Sequence, residues 1–206
     1  ESLQKIDDLV RSKKAEHIAF INAHCLNIAY KNNGYKQVLN DCAEVFADGI
    51  GAKIGAKMLG FKVEENVNGT DMFPLLAQKP YRIYLFGGAP GVAETALKNA
   101  KTLNGKAEFV GCADGFFKEK SEEQILAELA EHKVNILLVA LGVPGQEIWI
   151  SQHLNALPGC VAIGVGGLLD FVSERIPRAP LWMRKCNIEW CFRLYQEPIR
   201  LFKRYI

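Results

Sequence analysis

The sequence predicts a doubly wound, Rossmann-like α/β fold, and three observations predict it. Short apolar runs rich in β-branched and aromatic residues recur along the chain, segments of helical periodicity separate them, and turn residues, glycine above all, follow the runs. Strands that alternate with helices need crossover connections, and these give a sheet covered on both faces, mainly parallel and here of about six strands. The first strand is HIAFI (His17–Ile21), followed by a helical pattern over Leu26–Leu39. AEVF (Ala43–Phe46) is the second, and apolar residues at helical spacing, Ile50, Ile54, Met58 and Leu59, then mark a helix over Ile50–Leu59. A further helix is expected over Thr70–Gln78 before the third strand, RIYLF (Arg82–Phe86), and another over Val92–Leu103 after it. AEFVG (Ala107–Gly111), NILLVA (Asn135–Ala140) and VAIGV (Val161–Val165) complete the sheet, with helices over Glu122–His132 and Glu147–Leu157 between them.

Length and composition suit this fold. A chain of 206 residues can bury one full core, so a single globular body over residues 1–185 with an appendage over 186–206 is expected. The contents of 49% hydrophobic and 23% charged residues are those of a soluble protein. The longest apolar run, Ile136 to Val143, is far short of the roughly 20 residues that span a bilayer. Glu1 opens the chain without a methionine, as expected of a trimmed sequence, and no basic-then-apolar leader follows it. The cysteines, 6 in number, include no C-x-x-C pair and sit mostly among apolar residues, which fits a reducing cytoplasm.

The net charge of +2 conceals an asymmetry. From Arg175 onward eight basic residues stand against two acids, a net charge of +6 that leaves −4 on residues 1–174. Trp182, Trp190, Phe192, Tyr195, Phe202 and Tyr205 interleave with these charges. Such a helical appendage suits an anionic membrane surface, a lipid diphosphate or a nucleic acid; equally, the aromatics pack it onto the body while its charges are solvated.

Parallel sheets of this kind bind ligands at the carboxyl ends of their strands. Those ends read Asn22-Ala23-His24, Asp48-Gly49, Gly87-Gly88-Ala89-Pro90-Gly91, Asp114-Gly115-Phe116-Phe117, Leu141-Gly142-Val143-Pro144-Gly145-Gln146-Glu147 and Gly166-Gly167. Glycine between a strand and a helix lets backbone N–H groups approach a phosphate, and two such loops, at Gly87-Gly88 and Gly166-Gly167, favour a nucleoside diphosphate; tight turns alone also explain them. Neither loop has G-x-G-x-x-G spacing or a Walker lysine. The chain has no D-x-D, and His17, His24, His132 and His153 lack ligand spacing, so no metal cofactor is expected. A departing diphosphate would then need backbone dipoles and arginines.

Asp48 has two readings, a turn or helix-capping carboxylate and a general base that accepts a proton from an attacking hydroxyl. Asn68 or Thr70 could cap the helix through Phe73 and Leu76, which leaves Asp71 in its first turn. Asp114 and Asp170 are strand-end or loop carboxylates of the kind that is more often structural.

The blocks INAHCLN (21–27), FADGIG (46–51), NGTDMFP (68–74), YLFGGAPGVAE (84–94), VALGVPGQEIWI (139–150), GVGGLLDFVSERIPRAPLWM (164–183) and IEWCFRLYQEPIRLFKR (188–204) together resemble the WecG/TagA/CpsF glycosyltransferases, in order from about residue 16 to the end. The resemblance implies transfer of a sugar, of N-acetylmannosamine type or a related hexose, from a UDP-sugar to a polyprenyl-diphosphate-linked saccharide. It implies inversion without a metal, at the inner face of the cytoplasmic membrane, in teichoic acid, common antigen or exopolysaccharide synthesis. By the same resemblance Asp48 is the base, and Arg193 and Arg200, with Lys203 or Arg204 near a third position, reach the lipid diphosphate or the UDP leaving group. Gln146 of the PxQE block is expected beside the nucleotide and Asn22 in the first strand's loop, where Phe20-Ile21 replaces the Thr-Pro that relatives often carry. Asn68, Thr70, Asp71, Gly87, Gly88, Gly142, Gly166, Gly167 and Arg178 are the further candidates for substrate contact. A homo-oligomer is a further expected association, and nucleic acid is not an expected partner.

Two other functions fit parts of the chain. A nicotinamide-dependent oxidoreductase would use strand three, its glycine loop and Asp114 as an approximate dinucleotide fingerprint. A membrane-surface adaptor without catalysis would use the basic tail alone.

Overall fold

The structure, a computed structural model, describes residues 1–60, 67–185, 188–196 and 198. Its elements run α1 (Ser2–Ser12), β1 (Glu16–Ile21), α2 (Ala23–Lys31), α3 (Asn33–Asn40), β2 (Glu44–Ala47), α4 (Ile50–Met58), α5 (Gly69–Ala77), β3 (Arg82–Gly87), α6 (Val92–Ala100), β4 (Glu108–Ala113) and α7 (Glu122–Glu131). They continue with β5 (Ile136–Ala140), α8 (Gly145–His153) and a 3₁₀ turn (Leu154–Ala156), β6 (Val161–Gly164), α9 (Leu168–Val172), α10 (Leu181–Lys185) and α11 (Glu189–Gln196).

The six strands pair in the order β2-β1-β6-β5-β3-β4, all parallel. Alternation along each strand sends side chains to two faces. Ile83, Leu85 and Leu138 join a core with Ile6 of α1, Met72 and Leu76 of α5, Ala93 and Ala96 of α6, and Leu169 of α9. Tyr84, Phe86, Leu137 and Val139 point the other way, onto Ile125 and Leu129 of α7 and Trp149 and Ile150 of α8. Cys25, Ala29, Tyr35 and Leu39 of α2 and α3 pack against Ala19 in a third cluster. Helices therefore cover both faces, as the doubly wound reading expects.

Each expected strand is present. Two helical expectations change. The single helix over Leu26–Leu39 is instead two helices, because Asn32 takes an extended conformation and its side chain caps the second of them by accepting from the Tyr35 N–H at 3.0 Å. The other change is three helices without a counterpart among the expected elements, α9, α10 and above all α1, in which Leu3, Ile6, Leu9 and Val10 have helical spacing. The anchor of α1 is tertiary. Buried Asp7 accepts hydrogen bonds from the Lys79 ammonium and the Tyr81 hydroxyl; burial opposes its charge, but these partners outweigh burial and hold the carboxyl below its ordinary pKa.

His17 on β1 is buried, its Nε2 has no hydrogen-bond partner, and desolvation pushes its pKa down to about 4. The unfolded chain takes up this proton near pH 6.5 and the folded chain only near 4, so stability is full above the higher value and falls as pH drops between the two. The expected loss is at most about 3 kcal/mol. Thermal unfolding of the wild type and His17→Leu over this range checks it: the wild type loses stability on acidification more steeply, and equal slopes would rule the assignment out.

Candidate active site

All six strands open at their carboxyl ends onto one edge of the sheet, and the chain ties three of those ends together. At the end of β1, Asn22 caps α2: its Oδ1 accepts from the His24 N–H at 3.0 Å and the Cys25 N–H at 3.3 Å. At the end of β2, the Asp48 backbone N–H donates to the Ile21 carbonyl at 2.7 Å and so locks this turn to β1. Gly49 follows with a φ of +89°, a conformation that glycine adopts without strain, and α4 begins at once. The chain returns to the same place when the Val67 N–H donates to the Ala47 carbonyl at 3.0 Å, which delivers Asn68 beside Asp48's turn. A Cβ on Gly69 would lie 3.3 Å from Val165, so the start of α5 packs directly on the loop that leaves β6. Asn22, Asp48, Asn68, Thr70 in the first turn of α5, and the Gly166–Gly167 loop thus share one rim, with Asp48 half-buried in it.

Gln146 is tied to this rim from within the protein. It is 1% exposed, its Oε1 accepts from the Gly166 N–H at 3.0 Å, and its Nε2 donates to Glu147 Oε1 at 2.7 Å. Gln146 thus braces the β6 loop through the Gly166 N–H, with its amide nitrogen on the Glu147 carboxylate. Glu147 is fully buried as well, and burial raises its carboxyl pKa more than the hydrogen bond from Gln146 lowers it. Sequence reading gave Glu147 no role, since nothing local distinguishes a buried glutamate from a solvated one.

Asp71 and Arg178 pair with each other. The Asp71 carboxylate takes hydrogen bonds from Asn68 Nδ2 at 2.9 Å and from the Arg178 guanidinium, with Arg184 Nη1 at 3.7 Å. Arg178 also lies 3.8 Å from Glu189. This cluster clamps the start of α5 to α10 and α11. Asn68 Oδ1 caps the Asp71 N–H at 2.8 Å, so both asparagines of the rim serve helix ends.

The clamp brings Arg193 of α11 to the glycine loop. A Cβ on Gly167 would stand 3.2 Å from its guanidinium, which also lies over the Phe171 ring at 4.7 Å from the centroid. Arg193, Gly166 and Gly167 are thus together on the rim. Arg200, Lys203 and Arg204 lie outside the described residues. Gly87, Gly88 and Gly142 lie further along the same edge, at the ends of β3 and β5. The Gly87–Gly88 loop fits its tight-turn reading. A Cβ on Gly87 would collide with the Ala140 carbonyl, and the Gly88 N–H donates to that carbonyl at 3.1 Å.

Asp114 is buried, and its carboxylate accepts from the Phe116 N–H at 2.8 Å and more loosely from Lys118 and Glu119. Its acceptor sites hold the protein's own loop, where a dinucleotide fingerprint would need them for a ribose. Among the described residues, no group of three His, Cys, Asp or Glu side chains is placed to hold a metal ion. Nor is any helix there long and apolar enough to cross a membrane.

The sequence profile of the glycosyl transferase WecG/TagA/CpsF family matches residues 1–206. The chain belongs to this family. Among known proteins, the N-acetylglucosaminyldiphosphoundecaprenol N-acetyl-beta-D-mannosaminyltransferase of Bacillus spizizenii is 31% identical over 176 residues, covering 84% of this chain and 68% of the relative. The protein of the same name from Bacillus subtilis is 28% identical over 187 residues, covering 89% and 72%. As a WecG/TagA/CpsF member the protein is a glycosyltransferase, and its rim of helix starts, glycines and Asp48 is where that chemistry is to be sought.

Proposed function

We propose that this glycosyltransferase moves an N-acetylmannosamine-type sugar from a UDP-sugar to a polyprenyl-diphosphate-linked saccharide, with inversion and without a metal, at the inner face of the cytoplasmic membrane. The observation that carries the reading is that Asp48, at the end of β2, and Arg193, at the loop after β6, both lie along the rim built by the ends of β1, β2 and β6. The names of the two Bacillus relatives support the acceptor and the sugar class.

In this reading the donor diphosphate lies against the Gly166–Gly167 loop under Arg193, and the acceptor hydroxyl lies between Asp48 and the anomeric carbon. The hydroxyl oxygen attacks the face opposite UDP, the bond from that carbon to the diphosphate oxygen breaks, and the hydroxyl proton passes to Asp48. Arg193 offsets the charge that develops on the departing diphosphate. Leu181, Trp182, Trp190 and Tyr195 of α10 and α11 are exposed, so these apolar groups do not all serve to pack the appendage on the body. They suit a headgroup layer that presents a lipid-linked acceptor.

A screen of UDP-sugars tests the reading, with UDP release measured against a short-chain prenyl diphosphate carrying N-acetylglucosamine, with and without EDTA. Release that depends on both UDP-N-acetylmannosamine and acceptor, and survives EDTA, is the expected result. Loss of turnover in EDTA restored by a divalent cation would remove the metal-free mechanism, and no acceptor-dependent release would remove the reaction. The dinucleotide alternative predicts a fluorescence response to NADH in place of UDP, and the occupied Asp114 carboxylate argues against it.

A further inference from the structure

Glu147 stands where a carboxyl group is costly. It lies in the first turn of α8, a place where a glutamate ordinarily meets water, yet it is 0% exposed. Desolvation raises its pKa. Its Oε1 accepts from Gln146 Nε2 at 2.7 Å, whereas its Oε2 is buried with no hydrogen-bond partner among the described residues. The Tyr35 hydroxyl of α3, buried and likewise without a partner in hydrogen-bond geometry, is near enough to oppose the rise in pKa. The Gln146–Glu147 pair is wedged on the end of β6: a Cβ on Gly164 would stand 2.7 Å from Gln146 Nε2 and 3.2 Å from Glu147 Oε1. A leucine or methionine would fill such a site at lower cost in stability, so the carboxyl is accounted for by what it holds.

We propose that Glu147 is a positioning residue for sugar transfer: it orients the Gln146 amide, and through that amide the Gly166–Gly167 loop. The proposal rests on the placement of the donor diphosphate at this loop in the reading above. A side-chain amide has one accepting end and one donating end. With an acceptor fixed at Glu147 Oε1, the Nε2 of Gln146 turns to the carboxyl and its Oε1 is left for the Gly166 N–H, which donates to it at 3.0 Å. Reversed, the amide would set its NH2 against that N–H, donor against donor. Gly166 has a φ of +55°, and a Cβ there would meet nothing within 4 Å, so little packing at its α-carbon restrains the turn. The next residue, Gly167, is the one against which the Arg193 guanidinium rests. A buried amide and a buried carboxyl thus set the floor of the site while touching neither substrate.

Amide hydrogen exchange at Gly166 and titration of the full chain with UDP test the proposal. Glu147→Leu removes the acceptor and is expected to speed exchange at Gly166 and to weaken UDP binding, each by about tenfold, the effect of leaving a buried amide unpaired. On a water-soluble short-chain acceptor the same variant is expected to raise the KM for the UDP-sugar and to leave the KM for the acceptor within about twofold of wild type. Glu147→Gln keeps an acceptor at the same position and is expected to bring exchange and UDP affinity back to within about threefold of wild type. A glutamate that served stability alone would give another pattern: a lower melting temperature and fewer active molecules, with UDP affinity and both KM values of the folded fraction unchanged. That pattern overturns the proposal, as does exchange at Gly166 that stays at the wild-type rate. Where Glu147→Leu does not fold, Glu147→Asp replaces it. This variant keeps the charge but draws the carboxyl back from Gln146 by one methylene; faster Gly166 exchange is again expected, and unchanged exchange again overturns the proposal. Faster exchange in a protein that neither binds UDP nor uses a UDP-sugar upholds the hold of Glu147 on the loop and rejects the proposed donor.

Discussion

Replacing Asp48 with asparagine is expected to lower turnover by between about 10²- and 10⁴-fold, the contribution of a positioned base, while UDP binding stays within about threefold of wild type. Asparagine keeps the size and the turn-forming capacity of aspartate, so the backbone link from Asp48 to the Ile21 carbonyl is expected to survive. What it removes is the ability to hold a proton. The measurement is kcat on a matched acceptor beside UDP affinity from titration; turnover within about threefold of wild type would reject Asp48 as the base. The expected loss is in kcat and not in KM, because the proton moves only as the new bond forms.

Deleting the chain after Lys185 is expected to lower transfer by about 10²-fold or more and to leave the body folded. The truncation removes Arg193, whose guanidinium stands 3.2 Å from a Cβ on Gly167, from the proposed diphosphate position. It keeps Arg178 and Arg184, whose contacts with Asp71 hold α10 to α5, and it leaves every strand and the three core clusters intact. Circular dichroism and thermal unfolding check the body, and UDP release with a lipid-linked acceptor checks transfer. A truncated protein of full activity would refute the charge-neutralising role of the appendage. A second variant, Arg193→Gln in the full chain, separates that role from loss of membrane contact, since it leaves Trp190 and Tyr195 in place.

The sheet was legible in the sequence because strand signals are local. NILLVA and RIYLF are runs whose alternate residues enter different cores, and the glycines that follow them mark where each strand must end. The cap at Asn32 was just as local, in an Asn-Asn-Gly run, yet the periodicity on either side of it reads as one helix. Helix α1 carried its spacing openly, but what fixes it is the pairing of Asp7 with Tyr81, 74 positions away. Polar partners were the part that sequence could not supply. Gln146 looks like a ligand contact within its motif, and only the Gly166 N–H, 20 residues on, shows which way its amide faces.

By itself, then, the sequence determined the parallel α/β architecture, the family, and the placement of Asp48 and the glycines at strand ends, since each depends on patterns a few residues long. Tertiary structure decided which polar groups the protein itself consumes: Asp114 on its own loop, Asp71 on Arg178 across 107 residues, Gln146 on the Gly166 N–H of the β6 loop. It decided also that α4 buries its alanines and turns its large apolar residues outward. The physical reason is common to all of these: a hydrogen-bond partner or a buried face is chosen by whatever the folded chain brings alongside, and residues distant in sequence supply it.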